Sequence, residues 1–164
     1  MGLIDFIKGA GEKIFNKEDD AAEVAAAAAA EAAAEDVAES KKEETLGKYV
    51  GRMGLEIDNL GISVDDDVVT VSGTAPSQEV REKIVLALGN TAGTARVDDR
   101  IEVEASEPEA TFYTVVGGDT LGKIAKEFYG NPMKYPVIFE ANKPMLSNPD
   151  KIYPGQVLRI PPQD

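Results

Sequence analysis

Apolar residues recur at helical spacing in the first third of the chain. In residues 3–15, Leu3, Ile7 and Ile14 share one face, which predicts a short amphipathic helix that packs on the protein. Residues 21–39 are almost entirely alanine and acidic residues. Alanine is the best helix former but buries little area, so this segment predicts an exposed helical spacer.

The middle of the chain alternates between the helical period and the two-residue period of strands. Residues 41–55 predict a helix that ends at Gly54, and residues 78–88 predict a second helix. Three short runs rich in β-branched residues predict strands, at 60–64, 68–72 and 95–103. The first two strands flank Asp65-Asp66-Asp67, which predicts a hairpin turn. Together these elements predict a three-stranded sheet with one face buried under two helices.

A second, smaller unit is predicted after the polar, proline-containing segment 105–110, which reads as a linker. Strands at 112–116 and 157–160 enclose two helices, at 120–129 and about 134–141. The inward face of the first of these helices carries four apolar residues, Leu121, Ile124, Ala125 and Phe128. The chain therefore predicts an α+β protein with two small domains.

Composition limits the chemistry available to this chain. It has 164 residues, which is enough for one ordinary domain or two small ones. It contains no cysteine and no histidine, so thiolate and imidazole sites are excluded and any bound metal ion is a hard cation held by oxygen. The formal net charge is −13, concentrated in the first two-thirds of the chain. Such a surface repels nucleic acid and anionic lipid and is compatible with cations.

No segment has the length and apolarity of a signal peptide or a membrane span. We therefore expect a cytoplasmic protein that contacts neither membrane nor nucleic acid. Paired carboxylates that could serve in acid–base catalysis occur at 65–67 and 98–99, where we expect a solvated turn and an exposed strand end. Nothing else indicates a catalytic cleft, so we expect a protein that is not an enzyme.

The loop 89–94, with the sequence GNTAGT, is a candidate cation site. Gly89 and Gly93 stand four residues apart with small side chains between them. Such a loop can turn several backbone carbonyls inward, and inward carbonyls are how proteins dehydrate K⁺. The alternative is a plain helix end at Gly89 followed by a turn, and the residues alone favour it.

Two parts of the chain resemble known domain families. The run VVTVSGTAPSQEVREKIVLALGNTAGTARVDDRIEV resembles the BON domain, which implies helix–strand–strand–helix–strand over 41–104. Three motifs in order, YTVVGGDTLGKIAKEFYG, IFEAN and IYPGQVLRIP, resemble the LysM domain over 111–161. LysM implies the order β-α-α-β, with both strands in one antiparallel sheet. Residues 1–40 then form the N-terminal helix and the alanine-rich helical segment, and 105–110 the linker.

The LysM resemblance implies a site for N-acetylhexosamine glycans between the loop after the first strand and the loop before the last. In this chain the first loop is Gly118, Asp119, Thr120 and Leu121, and the second is about 145–152. Alternatively, Asp119 caps the following helix and Leu121 fills the core. A glycan-binding or envelope-associated protein is therefore the alternative function.

Nearly the whole chain resembles the BON–LysM potassium-binding proteins of enterobacteria, in a start like MGLIDFIKGAGEKIF followed by BON and then LysM. That resemblance implies a small cytoplasmic monomer that senses or buffers K⁺, with a part in the stress response. It also implies ligation by main-chain carbonyls of the N-terminal segment and the BON loop. Carried onto this sequence, the implied ligands are Ile7, Ala10, Gly89, Thr91 and Thr94. The loop keeps that family's G-N-x-x-G pattern but has threonine at 91 and 94, where larger apolar residues are usual. The alanine tract is a second departure.

Overall fold

The computed structural model of the protein describes residues 2–6, 35–91 and 93–163. In chain order its elements are β1 (Gly2–Asp5), α1 (Glu35–Arg52), β2 (Asp58–Asp65), β3 (Val68–Ser77), α2 (Gln78–Gly89), β4 (Arg96–Ala105), β5 (Thr111–Thr114), α3 (Leu121–Tyr129), a 3-10 turn (Pro132–Lys134), α4 (Tyr135–Ala141) and β6 (Val157–Ile160). No helix within these ranges is long and apolar enough to cross a membrane.

The first four strands form one sheet in the order β1-β4-β3-β2. Strands β2 and β3 make the predicted antiparallel hairpin, with Asp66 at a φ of 53° in its turn. Strand β4 lies parallel to β3, and α2 supplies the crossover that a parallel pair requires. The predicted order of helices and strands over this region is confirmed, but the sheet has four strands where the sequence predicted three.

The extra strand comes from the N-terminus, where the predicted amphipathic helix is wrong for its first residues. Gly2–Asp5 is a strand paired antiparallel with β4. Leu3 is 52% exposed and Phe6 only 8%, so this stretch buries alternate positions instead of a helical face. Pairing also covers the hydrogen-bonding groups of β4, which would otherwise form an open edge. The rest of that predicted helix and spacer residues 21–34 lie outside the described residues.

Helices α1 and α2 pack on one face of this sheet and enclose the larger apolar core. Its fully buried members include Leu46, Val50, Ile84, Val85, Leu88, Val69, Val71 and Val97. The expectation that Asp99 lies at an exposed strand end is wrong. Val97 and Ile101 alternate inward along β4, and Asp99 between them is 4% exposed. Its carboxylate accepts a hydrogen bond from Arg81 Nε at 2.8 Å, which compensates for burial of the charge.

The smaller unit has the predicted β-α-α-β order. Strands β5 and β6 pair antiparallel, with Thr111 opposite Ile160, so this prediction is confirmed. Helix α3 buries Leu121, Ile124 and Ala125, as predicted. Phe128, which was predicted to point inward, is 38% exposed and instead makes an edge contact with the Tyr113 ring. It lies near the C-terminal end of α3, beyond the buried core positions.

The two units contact each other through α2 and β6. Glu82 of α2 and Arg159 of β6 form a buried ion pair. The same carboxylate accepts hydrogen bonds from Gln78 Nε2 and from the backbone N–H of Ala110 in the linker. Val157 belongs to the larger core although it lies in β6. The interface is therefore partly apolar and partly charged, and its two buried charges, on Glu82 and Arg159, are paired with each other.

Candidate cation-binding loop

The candidate loop begins where α2 ends. Gly89 is the last helical residue and Asn90 is its C-cap, so the plain helix end considered from the sequence is present. Beyond it, the Thr94 backbone N–H donates to the Thr91 carbonyl at 3.3 Å. Gly93 has a φ of 79°, a conformation that glycine adopts without strain. The helix end is thus followed directly by a turn, in which Gly93 has the positive φ.

The two threonines fix the shape of this loop. Thr91 and Thr94 are 1% and 0% exposed. Thr91 Oγ1 donates to the Leu88 carbonyl at 2.6 Å and lies 3.0 Å from Thr94 Oγ1. Both hydroxyls are therefore satisfied inside the protein, which compensates for the cost of burying them. Side chains at these positions therefore help to set the loop conformation.

Phe6 joins the N-terminal strand to both ends of the loop. Its backbone N–H donates to the Ala95 carbonyl at 2.6 Å, and its ring covers Gly89. A Cβ atom on Gly89 would lie 1.9 Å from Phe6 Cζ, far inside contact distance. Glycine is therefore required at position 89 because the Phe6 ring leaves no room for a side chain. At position 93 glycine is favoured by the positive φ.

The predicted ligands fall into two groups. Gly89, Thr91 and Thr94 lie together in this loop. Ile7 and Ala10 are outside the described residues. Phe6, the last described residue before them, contacts both ends of the loop. Ligation by these five residues stays a prediction.

Sequence reasoning missed Lys42, which reaches the loop from α1. Lys42 is 5% exposed, and its Nζ donates to the Gly93 carbonyl at 3.4 Å. It stands four residues before Leu46 and seven before Tyr49, on the inward face of its helix. That spacing was a signal, because a lysine within an apolar stripe has to find an oxygen partner inside the protein.

Asn90 connects the loop to the smaller unit. Its Nδ2 donates to the Val157 carbonyl, and its Oδ1 accepts from the Val157 N–H, both at 2.9 Å. Two residues further along β6, Asn142 makes the same pair of bonds to Arg159, at 2.9 and 2.7 Å. Two asparagine side chains, one from each unit, thus pair with the edge of β6 that β5 leaves uncovered.

The described part of the candidate loop is not built from carboxylates. Among the described residues, no group of three or more aspartates and glutamates is arranged to hold a metal ion. The oxygen atoms that take part in the hydrogen bonds of the loop are those of backbone carbonyls and threonine hydroxyls. Neutral carbonyl oxygens of this kind suit a large monovalent cation.

The candidate glycan loop is built differently. Leu121 is 2% exposed and fills the core, as the structural alternative predicted. The expectation that Asp119 caps the helix is wrong, because the N-cap is Thr120, whose hydroxyl accepts from the Lys123 N–H.

Asp119 is the residue before the cap, and its Oδ2 instead accepts from the Tyr113 hydroxyl at 2.7 Å and from the Val116 N–H. The hydrogen bond to Asp119 raises the pKa of Tyr113 to about 12. Lys123 Nζ donates to the Gly118 carbonyl at 2.8 Å.

Family comparisons agree with this architecture. The BON domain family matches residues 39–105, and the LysM domain family matches residues 113–161. The protein is therefore a BON domain joined to a LysM domain, as the sequence motifs predicted. Over 98% of its length it is 43% identical to the potassium binding protein Kbp of Escherichia coli O6:H1, of which it covers 99%. The chain belongs to the family of that protein.

More distant relatives match smaller parts of the chain. An uncharacterized protein of Deinococcus radiodurans is 55% identical over 51 residues, which is 31% of this chain and 19% of that protein. The esterase Rv1288 of Mycobacterium tuberculosis is 47% identical over 53 residues, which is 32% of this chain and 11% of the esterase. Such short matches indicate a shared module and not a shared activity.

Proposed function

We propose that this protein is a non-enzymatic, monomeric cytoplasmic binder of K⁺ that acts as a sensor or buffer of the ion. Backbone carbonyls of Gly89, Thr91 and Thr94 hold the ion together with those of Ile7 and Ala10. The relative that matches almost the entire chain is named a potassium binding protein, which supports this assignment. The geometry around the loop supports it independently.

One observation carries the proposal: Phe6 brings the N-terminal segment to the loop. The two groups of predicted ligands are separated by about half the chain. Phe6 bonds to the Ala95 carbonyl and covers Gly89, so the N-terminal chain passes the loop immediately before Ile7. Two segments that converge in this way can surround an ion with carbonyl oxygens that replace its hydration shell.

The acidity of the chain supports cation binding but not selectivity. A net charge of −13 raises the local concentration of all cations, and salt screens this effect. Discrimination of K⁺ from Na⁺ therefore has to come from the loop. The buried hydrogen bonds of Thr91 and Thr94 hold its carbonyls in place, which fixes the size of the ion that they fit.

Binding at this loop should also strengthen the contact between the two domains. Asn90 lies between Gly89 and Thr91, and its side chain pairs with Val157 of the LysM domain. An ion that orders the loop therefore orders Asn90, and with it the interface. We propose this as the route by which the ion reaches the LysM domain.

Melting curves in different salts test the function. If only the folded protein binds, an ion at 100 times its Kd adds about 2.7 kcal/mol to the free energy of unfolding. For a chain of this size that corresponds to a rise in Tm of about 5–10 °C. We expect this rise in KCl relative to NaCl and LiCl at equal ionic strength. Equal Tm values in the three salts would contradict ion-specific binding.

A matched pair of variants locates the effect. Phe6→Ala removes the buried ring that joins the N-terminal strand to the loop, and it should abolish most of the K⁺-dependent rise in Tm. Leu3→Ala, in the same strand but half exposed, should leave the rise intact. If both variants retain the full rise, the N-terminal segment does not contribute to the site.

The glycan alternative has less support from the geometry. The LysM match makes it worth testing, but the carboxylate of Asp119 already accepts two hydrogen bonds from within the domain. The Gly118 carbonyl is likewise engaged by Lys123. Titration with N-acetylglucosamine oligomers should give no saturable heat.

A further inference from the structure

We propose that Lys42 is an intramolecular competitor of the ion at the BON loop, an inference that rests on the proposed function. When K⁺ is scarce, the Lys42 ammonium group bonds to the Gly93 carbonyl of the loop, and K⁺ binds by displacing it. The position of one buried lysine thereby sets the concentration range in which the protein responds to K⁺.

The placement of Lys42 supports this role. It is 5% exposed, although it carries a charge that is costly to bury without oxygen partners. Its Nζ contacts the carbonyl of Gly93, inside the loop that contains the candidate ligands. An ammonium group donates up to three hydrogen bonds, accepts none and carries one positive charge. It therefore makes the same demand on carbonyl oxygens as a monovalent metal ion does.

The ion and the ammonium group cannot share the loop easily. Two unit positive charges at contact distance repel by several times the thermal energy, even at the effective dielectric constant of about 20 that suits protein sites. Occupancy by K⁺ therefore requires the ammonium to leave Gly93. The lysine side chain can make that movement, because its four-carbon stem is flexible and can carry the charge to solvent while α1 stays in place.

Competition of this kind weakens the apparent affinity for the ion. The apparent Kd equals the intrinsic Kd divided by the fraction of molecules whose loop is open to the ion. If the ammonium occupies the loop in about nine molecules out of ten, the apparent Kd is about tenfold higher than the intrinsic one. The ammonium would also support the loop carbonyls in the ion-free protein.

A purely structural role for Lys42 predicts the opposite sign. If the contact with Gly93 only ties α1 to the loop, loss of the ammonium should disorder the loop and weaken K⁺ binding. If Lys42 competes, loss of the ammonium should strengthen K⁺ binding. The direction of the change in affinity therefore separates the two roles.

The test compares Lys42→Met with Lys41→Met in the full-length protein, by calorimetric titration with KCl. Lys41 is the adjacent residue and is exposed, so its variant makes the same change in net charge away from the loop. We expect Lys42→Met to bind K⁺ about tenfold more tightly and Lys41→Met less than about twofold more tightly, since solvent screens an exposed charge. An affinity for Lys42→Met equal to or below that of Lys41→Met overturns the proposal.

Two further measurements keep the test decisive. Lys42→Gln, which is neutral but polar, should shift the affinity in the same direction if Lys42→Met does not fold. In the wild-type protein, the ¹⁵N resonance of the Lys42 ammonium should change during titration with KCl and not with NaCl. An unchanged resonance at saturating K⁺ contradicts displacement.

Failure of this inference is distinguishable from failure of the proposed function. If the wild-type protein shows no preference for K⁺ over Na⁺, the function itself is wrong. If it binds K⁺ selectively but neither variant at position 42 binds more tightly, only the role of Lys42 is wrong.

Discussion

The candidate loops of the BON and LysM domains differ in how far along the chain their hydrogen-bond partners lie. In the LysM loop, the side-chain bonds of Asp119, Thr120 and Lys123 all reach residues within six positions along the chain. In the BON loop, Gly93 contacts Lys42, 51 positions away, and Asn90 contacts Val157, 67 positions away. Phe6, in the N-terminal strand region, donates its backbone N–H to the carbonyl of Ala95, directly after this loop.

This difference has a consequence for ligand response. A loop held by its neighbours in sequence forms whenever its own domain folds, and a ligand adds little to its order. A loop assembled from distant segments depends on how those segments dock, so an ion that binds between them shifts the docking equilibrium. The BON loop is therefore the part of the molecule that can couple binding to stability.

The largest expected effect comes from Gly89→Ala. At an ordinary helical position this change stabilises, but here the new methyl group overlaps the Phe6 ring and displaces it from its site. Loss of a buried phenylalanine costs about 3 kcal/mol, and the proposed N-terminal ligands would lose their anchor. Urea unfolding should show the loss of stability, and calorimetry should show the loss of K⁺ binding.

Gly51→Ala is the matched control for Gly89→Ala. Gly51 lies in α1, and nothing comes within 4 Å of a Cβ placed there. This variant should be unchanged or more stable by up to about 1 kcal/mol, with K⁺ affinity unaltered. If Gly89→Ala behaves like Gly51→Ala, the ring does not lie against the helix end in solution.

The second prediction compares the two asparagines that bond to β6. Asn90→Ala and Asn142→Ala each remove a pair of buried bonds to the backbone of that strand, so each should lower stability by about 2 kcal/mol. Only Asn90 belongs to the BON loop, so only Asn90→Ala should also weaken K⁺ binding, by about tenfold. Equal K⁺ affinities in the two variants would show that the interface and the ion site are independent.

The sequence predicted what depends on local pattern. The hairpin at Asp66, the extent of α2 and the pairing of β5 with β6 follow from periodicity, turn residues and motifs, which neighbouring residues determine. One of the two glycines that marked the candidate loop, Gly93, has the positive φ that glycine adopts readily.

What the sequence could not supply depends on partners that are distant along the chain. Leu3 and Ile4 fit a helix as well as a strand over so short a run, and the open edge of β4 decided in favour of a strand. The burial of Asp99 depends on its ion pair with Arg81, which lies 18 positions away along the chain. Lys42 gave a weak signal through its helical spacing, but its oxygen partner in the loop was known only from the fold.

The smallest expected effect is that of Asp119→Ala in the LysM loop. This variant removes two local hydrogen bonds, one part-buried and one exposed, and should lower stability at neutral pH by about 1 kcal/mol. It should leave K⁺ affinity within about twofold, because the hydrogen bonds that the structure describes for Asp119 stay within the LysM domain. An affinity that falls as far as in Asn90→Ala would show that the two loops are coupled, and the contrast between them would be lost.

The same variant has a signature in alkaline solution. Asp119 raises the pKa of Tyr113 to about 12 in the folded protein, whereas an unfolded tyrosine titrates near pH 10. A group whose pKa is raised by folding stabilises the protein below its unfolded pKa, and that contribution disappears as the pH rises from about 10 through about 12. In Asp119→Ala the pKa of Tyr113 should fall back towards 10, so this part of the alkaline loss of stability should vanish. The ¹³Cζ resonance of the Tyr113 ring, followed from neutral pH to about pH 12 in both proteins, measures the shift directly. An unchanged titration of Tyr113 in the variant would mean that its hydroxyl does not bond to Asp119 in solution.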